Sequence, residues 1–138
     1  MTRQLRQLLA GEPAVELLMT IPGIGFLTAA TLIAELGGWQ RFRDGKQVSA
    51  YLDLVPSVRA SVRTARYGHL TKSGSPHARR ALVEAAQVAV RLPGPVRQRY
   101  LSLVRRRGKK VAMVAAARTL LVLAWTLLTR GAVFRRAA

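Results

Sequence analysis

No cysteine occurs among the 138 residues, which excludes disulfide staples and thiolate zinc sites and suits a reducing compartment. Acids are scarce: six Asp and Glu stand against 23 Lys and Arg, a formal net charge of +17. The two histidines, His69 and His77, lie in a basic stretch poor in carboxylates, so no structural metal is expected. The N-terminal MTRQLRQLLAGEP is too poor in apolar residues for a secretory signal, so nothing points to export and a cytoplasmic protein is expected.

Long hydrophobic runs are also few. Only VAMVAAARTLLVLAWTLLT, residues 111–129, has about the length of a bilayer span. Arg118 sits in its middle, opposing insertion by roughly 2.5–3.5 kcal/mol. Five of its other residues are alanine, which add little drive. The run is therefore predicted to be a buried core helix, with Arg118 snorkelling from it and no membrane as partner. With 50% hydrophobic residues, a chain of this length can bury one sizeable core, and a single domain over 1–138 is expected.

The charge is unevenly placed. Residues 1–53 carry five basic residues and five acids, whereas residues 54–138 hold the other eighteen basic residues and one acid, Glu84. This asymmetry points to a polyanion, with nucleic acid ahead of an anionic membrane surface.

Proline and glycine punctuate a helical rhythm. Short helices are predicted over about 3–10 and 13–19, the second with Pro13 in its first turn. IPGIG then forces a tight turn, and a helix follows over 26–36, closed by Gly37-Gly38 as a left-handed cap. Residues 39–45 read as a loop and KQVSAYLDL as a short helix ended before Pro56. From 55 to 76 the chain is basic, polar and aperiodic; VRTARYGHLT reads as a short hairpin or as a loop that orders on a polyanion. Helices over 76–91, 96–107 and 109–129, with a break at Gly108 and a frayed GAVFRRAA tail, complete the reading. The fold class is all-α: a compact helical bundle presenting one basic irregular segment. Trp39 and Trp125, at helix edges, read as core aromatics.

Two stretches could carry chemistry. In ELLMTIPGIGFLTAATLIAEL the backbone N–H groups of Gly23 to Leu27 open the second helix. Such donors, with the helix dipole, suit a phosphate oxygen, and Gly23 and Gly25 lack the Cβ atoms that would hold a DNA backbone away. The pattern resembles the helix-hairpin-helix element of DNA-processing proteins, which grips phosphates without reading sequence; the same glycines also serve a plain tight turn. The second stretch, LVPSVRASVRTARYGHLTKSGSPHARR over 54–80, mixes Arg, Lys, Ser and Thr with no acid. It suits phosphate contact as an electrostatic arm. It could equally host a hydroxyl nucleophile whose alkoxide and target phosphate are stabilised by guanidinium groups. Composition does not choose the serine.

The order TIPGIG, TAATLIAELG, AYLDLVP, GHLTKSGSPHARR and RRGKKVAMVAAARTLL resembles the C-terminal transposase domain of the insertion sequence one-ten family. Its members carry a RuvC-like domain ahead of a helical domain and are directed by a bridge RNA. In that family the stretch after the Leu-x-Pro turn reads Pro-Ser-x-x-Ser-Ser-Gly-Gly, and a serine there attaches covalently to DNA. Ungapped alignment of PSVRASVR puts Ser61 on that serine, with Ser57 and Ser73 as runners-up. Gly68, Thr71, Lys72, Gly74, Arg79 and Arg80 fall in register with the family's Gly-x-x-Thr-Lys-x-Gly-x-x-x-x-Arg-Arg, and Lys109, Lys110 and Arg118 in its Gly-Lys-Lys helix. Val62 and Arg63 stand where the family has two glycines, Asp53 replaces a glycine and Ala78 a leucine.

The resemblance implies DNA binding by Gly23, Gly25, Arg59, Arg63, Arg66, Thr71, Lys72, Arg79, Arg80, Lys109 and Lys110, and nucleophilic attack by Ser61. His77, also in register, is a weaker candidate for a base. It further implies a domain plan of a remnant linker helix (1–13), the helix-hairpin-helix (14–38), the serine-bearing basic segment (55–76) and a helical core (77–130). No cofactor is expected in this chain; the divalent metal belongs to the RuvC-like domain, whose carboxylates no residue before Glu12 could supply. The chain thus reads as a C-terminal portion, whether fragment, split gene or decayed copy, with DNA and a guide RNA as partners and a homo-oligomer when full length. The competing expectation is a non-catalytic basic module that binds DNA or RNA.

Overall fold

The computed structural model describes residues 3, 4, 7, 11–52, 54 and 76–135. Among them are six α-helices and no strand: α1 (Pro13–Met19), α2 (Phe26–Leu36), α3 (Gly45–Tyr51), α4 (Pro76–Ala89), α5 (Pro95–Arg107) and α6 (Lys109–Arg130), with a 3₁₀ turn at Trp39–Arg41. The all-α expectation is met. Of the helix predicted over 3–10, only Arg3, Gln4 and Gln7 are described, and they are helical.

The punctuation sets the helix limits. Pro13, Pro76 and Pro95 open helices, at positions where no intrahelical N–H is needed. Asp44 caps α3 by accepting from the Gln47 N–H at 2.9 Å, while the Gln47 side chain accepts from the Arg43 N–H, a variant of the reciprocal capping box. Gly37 does close α2 with a positive φ of 58°, but its ψ of −118° is not that of the left-handed cap predicted for it. The Arg41 guanidinium donates to the Leu36 carbonyl at 3.2 Å and lies 4.6 and 4.7 Å from the ring centroids of Phe42 and Tyr51. It thereby satisfies the end of α2 and ties the 3₁₀ turn to α3.

Helix α6 is the spine, in contact with α1, α3, α4, α5 and the 3₁₀ turn. Ala112, Ala115, Ala116, Ala117 and Ala124 are buried along it, and their small side chains let neighbouring helices approach closely. Leu120 and Leu121 fill the space between them with no exposed surface. By length and composition α6 could cross a bilayer, yet half of its most apolar window is buried inside the fold, so it packs as the core helix the central arginine predicted.

One hydrophobic cluster joins residues of α1, α2, α3, α4 and α6 with Phe42, Leu54 and Val96. A satellite cluster of Leu103, Ala112 and Ala115 holds the C-terminal half of α5 to the N-terminal half of α6. The α5–α6 pair therefore leaves the main core as a two-helix hairpin, with its elbow at Gly108. At the other end of α6 the tail returns, and the Phe134 N–H donates to Thr20 Oγ1 at 2.9 Å. The Trp125 indole N–H donates to the Trp39 carbonyl at 2.9 Å, fixing the 3₁₀ turn to the spine.

Candidate nucleic-acid interface

The turn between α1 and α2 is built from the Thr20, Ile21 and Ile24 N–H groups, which donate to the carbonyls of Leu17, Leu18 and Ile21. Ile21 and Ile24 are buried in the core cluster, so the turn is held from beneath. Gly23 has φ of 97°, a region L side chains avoid. A Cβ there would sit 2.8 Å from the Ala85 carbonyl oxygen and 3.3 Å from the Ala89 Cβ. Gly23 is therefore required by α4, whose backbone packs against the turn. Gly25 is exposed, has φ of −91°, and a Cβ there would meet nothing within 4 Å. The two glycines, equivalent in the sequence reading, thus differ: one is a packing position and the other is free surface.

Gly25 is also the N-cap of α2 and offers no side-chain cap. The first-turn N–H groups that point out of such an end have no partner within the helix. The end carries the positive pole of the dipole, so an anion is the natural complement.

Contact between the turn and α4 links α2 to the helix that carries Arg79, half-buried, and Arg80, exposed, in its first turns. His77 is exposed at the same helix start. Ser61, Arg59, Arg63, Arg66, Thr71 and Lys72, together with Ser57 and Ser73, lie outside the described residues. The described chain on either side is nonetheless informative: Leu54 and Ala78 are both buried, and both belong to the main core cluster. The serine-bearing segment is thus tied at each end to one core, the same core that seats the glycine turn.

Lys109 and Lys110 are exposed at the opposite end of the spine from the turn. Ile21 and Pro22 share a small apolar cavity with Leu123 and Phe134, whereas Lys109 precedes Leu123 by fourteen residues, on the order of 20 Å along the helix. The structure does not bring these lysines to the glycine turn. It sets them at the α5–α6 elbow beside Arg105, Arg106 and Arg107, all exposed. The sequence reading passed over those arginines, although a helix with five arginines and no acid, PVRQRYLSLVRRR, was signal enough.

No three His, Asp or Glu converge among the described residues, so the divalent metal implied by the resemblance finds no fitting donor set there.

A match to the family model described as Transposase IS116/IS110/IS902 family runs over residues 15–101, from α1 through the basic segment and well into α5. The chain belongs to this family. It is 31% identical over 137 residues to a probable family 20 transposase of Pseudomonas aeruginosa, covering 96% of this chain and 40% of the relative. The transposase for insertion sequence element IS1328 of Yersinia enterocolitica is 29% identical over 97% of this chain and 41% of its own length. The transposase for IS1111A of Coxiella burnetii is 32% identical over 84% of this chain and 33% of its own. The chain spans about two-fifths of the length of such curated relatives. For an IS110-family chain, the tethered segment between Leu54 and Ala78 is the natural focus, because the family match passes through it.

Proposed function

We propose that this chain is the DNA-binding, catalytic-serine domain of an IS110-family transposase, acting in DNA transposition through a phosphoserine link. The observation that carries the reading is the family match across residues 15–101, which includes the Ser61 stretch and its Thr-Lys-x-Gly register. In this reading Ser61 Oγ gives up its proton and attacks a backbone phosphorus. A new P–O ester forms, one bridging P–O bond breaks, and the departing sugar oxygen takes a proton. The phosphoserine conserves the ester, so a DNA hydroxyl can later displace the serine and complete strand exchange. Arg59, Arg63, Arg66 and Lys72 neutralise the phosphates, as guanidinium and ammonium groups do for the charge that builds on phosphoryl oxygens. Thr71 adds a hydroxyl donor, and Arg79 and Arg80 extend the contact onto α4. The α1–α2 pair acts as a helix-hairpin-helix in which Gly25 and the first turn of α2 face a phosphate while Gly23 keeps the turn seated. A guide RNA, a metal-bearing RuvC-like domain and assembly of more than one copy belong to the same reading, since two duplexes must be cut and joined. Action on DNA places the protein in the cytoplasm.

Val62 and Arg63, in place of the glycines beside the nucleophile, support a second reading: a basic DNA- or RNA-binding module without chemistry. The experiment that separates the two incubates the purified chain with a donor and target DNA pair, denatures it, and looks for protein-linked DNA by gel shift and mass spectrometry of the Ser61 peptide. The catalytic reading expects an adduct at Ser61 that Ser61→Ala abolishes without loss of DNA binding. An adduct that survives Ser61→Ala, or maps to Ser57 or Ser73, overturns the assignment. The isolated chain is expected to bind DNA with little or no recombination, so binding without any adduct favours the second reading only when a RuvC-like half supplied in trans does not restore the adduct.

A further inference from the structure

Between the first half of α5 and the middle of α6, on the order of 15 Å along the helices from the elbow, lies a feature that the serine-centred reading does not use. Pro95 and Arg99 of α5 and Ala115, Arg118, Thr119, Val122, Leu123 and Thr126 of α6 border a cleft of about 490 Å³. Two arginines, Arg99 and Arg118, line it, and among the described residues neither makes an ion pair or side-chain hydrogen bond. The Thr119 and Thr126 hydroxyls donate to the carbonyls of Ala115 and Val122, so the arginines are the free donors of the cleft. Among the described residues no carboxylate borders it. On α3, which meets α6 where Gly45 packs on Val122, Asp44 is committed to the Gln47 N–H. Glu84, the one acid after residue 53, is exposed on α4. Two cations facing one cleft repel each other, and the arrangement calls for an anion from outside.

The surroundings say which anion. Arg99 and Arg106 are seven residues apart and so on one side of α5, about 10 Å apart along its axis. That spans roughly three base-pair steps along a duplex axis at about 3.4 Å each. Arg105, Arg107, Lys109 and Lys110 continue the exposed charge around the elbow. A row of cations at that spacing matches a repeating phosphate backbone better than an isolated carboxylate.

We propose that the α5–α6 hairpin is a further DNA-binding face, in which Arg99 and Arg118 each hold a phosphate at the cleft and Arg106 and the elbow follow the strand. The cleft shares Pro95 and Leu123 with the cavity that holds Ile21 and Pro22 of the glycine turn, so the face extends the DNA contact from the neighbourhood of the α2 start towards the elbow. It deepens the proposed DNA-binding role and is tested separately from it.

The test is the salt dependence of binding of the full chain to a 20-base-pair DNA duplex, with an RNA hairpin of equal charge as the second arm. Each lost phosphate contact lowers the slope of log K against log salt by about 0.9. Arg99→Gln and Arg118→Gln are each expected to lower the DNA slope by about that amount, and Arg118→Lys to keep it. Thermal unfolding checks that each variant folds; Arg99 is exposed, so Arg99→Gln decides the matter even if Arg118→Gln does not fold. Unchanged DNA slopes overturn the proposal, as does a loss confined to the RNA arm. If neutralising 59–72 leaves the slope intact while Arg99→Gln lowers it, the segment reading fails and this one stands.

Discussion

Gly23 and Gly25 show how far one residue type can divide in role over two positions. The sequence gives both as the small residues of an IPGIG turn. Only the fold reveals that Gly23 faces α4, 62 positions away in sequence, at a distance no side chain tolerates. Gly23→Ala should therefore cost about 2–4 kcal/mol, combining a left-handed backbone penalty with a clash against the Ala85 carbonyl. Gly25→Ala should cost less than about 1 kcal/mol, the difference between two weak caps. Urea unfolding measures both. The same pair then reports on function: Gly25→Ala, being folded, should weaken DNA binding if a phosphate approaches the α2 start, whereas equal destabilisation by the two substitutions would contradict the division.

At the scale of elements, what the sequence shows plainly is what proline, glycine and periodicity encode locally. Pro13, Pro76, Pro95 and Gly108 mark helix limits that lie within one residue of the predicted ones, because each acts on its own backbone. The long apolar run was legible as a core helix through its central arginine and its alanines. Less legible were contacts that depend on distant chain. The loop expected at 39–45 holds a 3₁₀ turn because Trp125, 86 residues on, donates to the Trp39 carbonyl. Trp125→Phe keeps an aromatic ring but removes that donor and some packed area, and should lower stability by at least about 1 kcal/mol, read from the urea midpoint. No change would mean that packing alone holds the turn. The basic face of α5 was visible as composition, but its meeting with Arg118 across a cleft needed the helix pairing.

At the scale of the molecule, the electrostatic and chemical readings come together in the segment between Leu54 and Ala78. Its residues read as a candidate site from their register with the family, whereas the burial of Leu54 and Ala78 in one core was not legible, since it is a property of the assembled helices. The asymmetric charge makes salt the natural probe, because cations that displace counterions from a phosphate backbone leave their number in the slope. The most direct measurement is duplex DNA affinity of the full chain against salt concentration, for the wild type and for a variant with Arg59, Arg63, Arg66 and Lys72 all replaced by alanine. If the four side chains hold phosphates, the slope falls by about 3.6, at about 0.9 per contact, while the thermal unfolding of the helical core is unchanged. An identical slope in a folded variant would contradict the placement of the DNA at this segment.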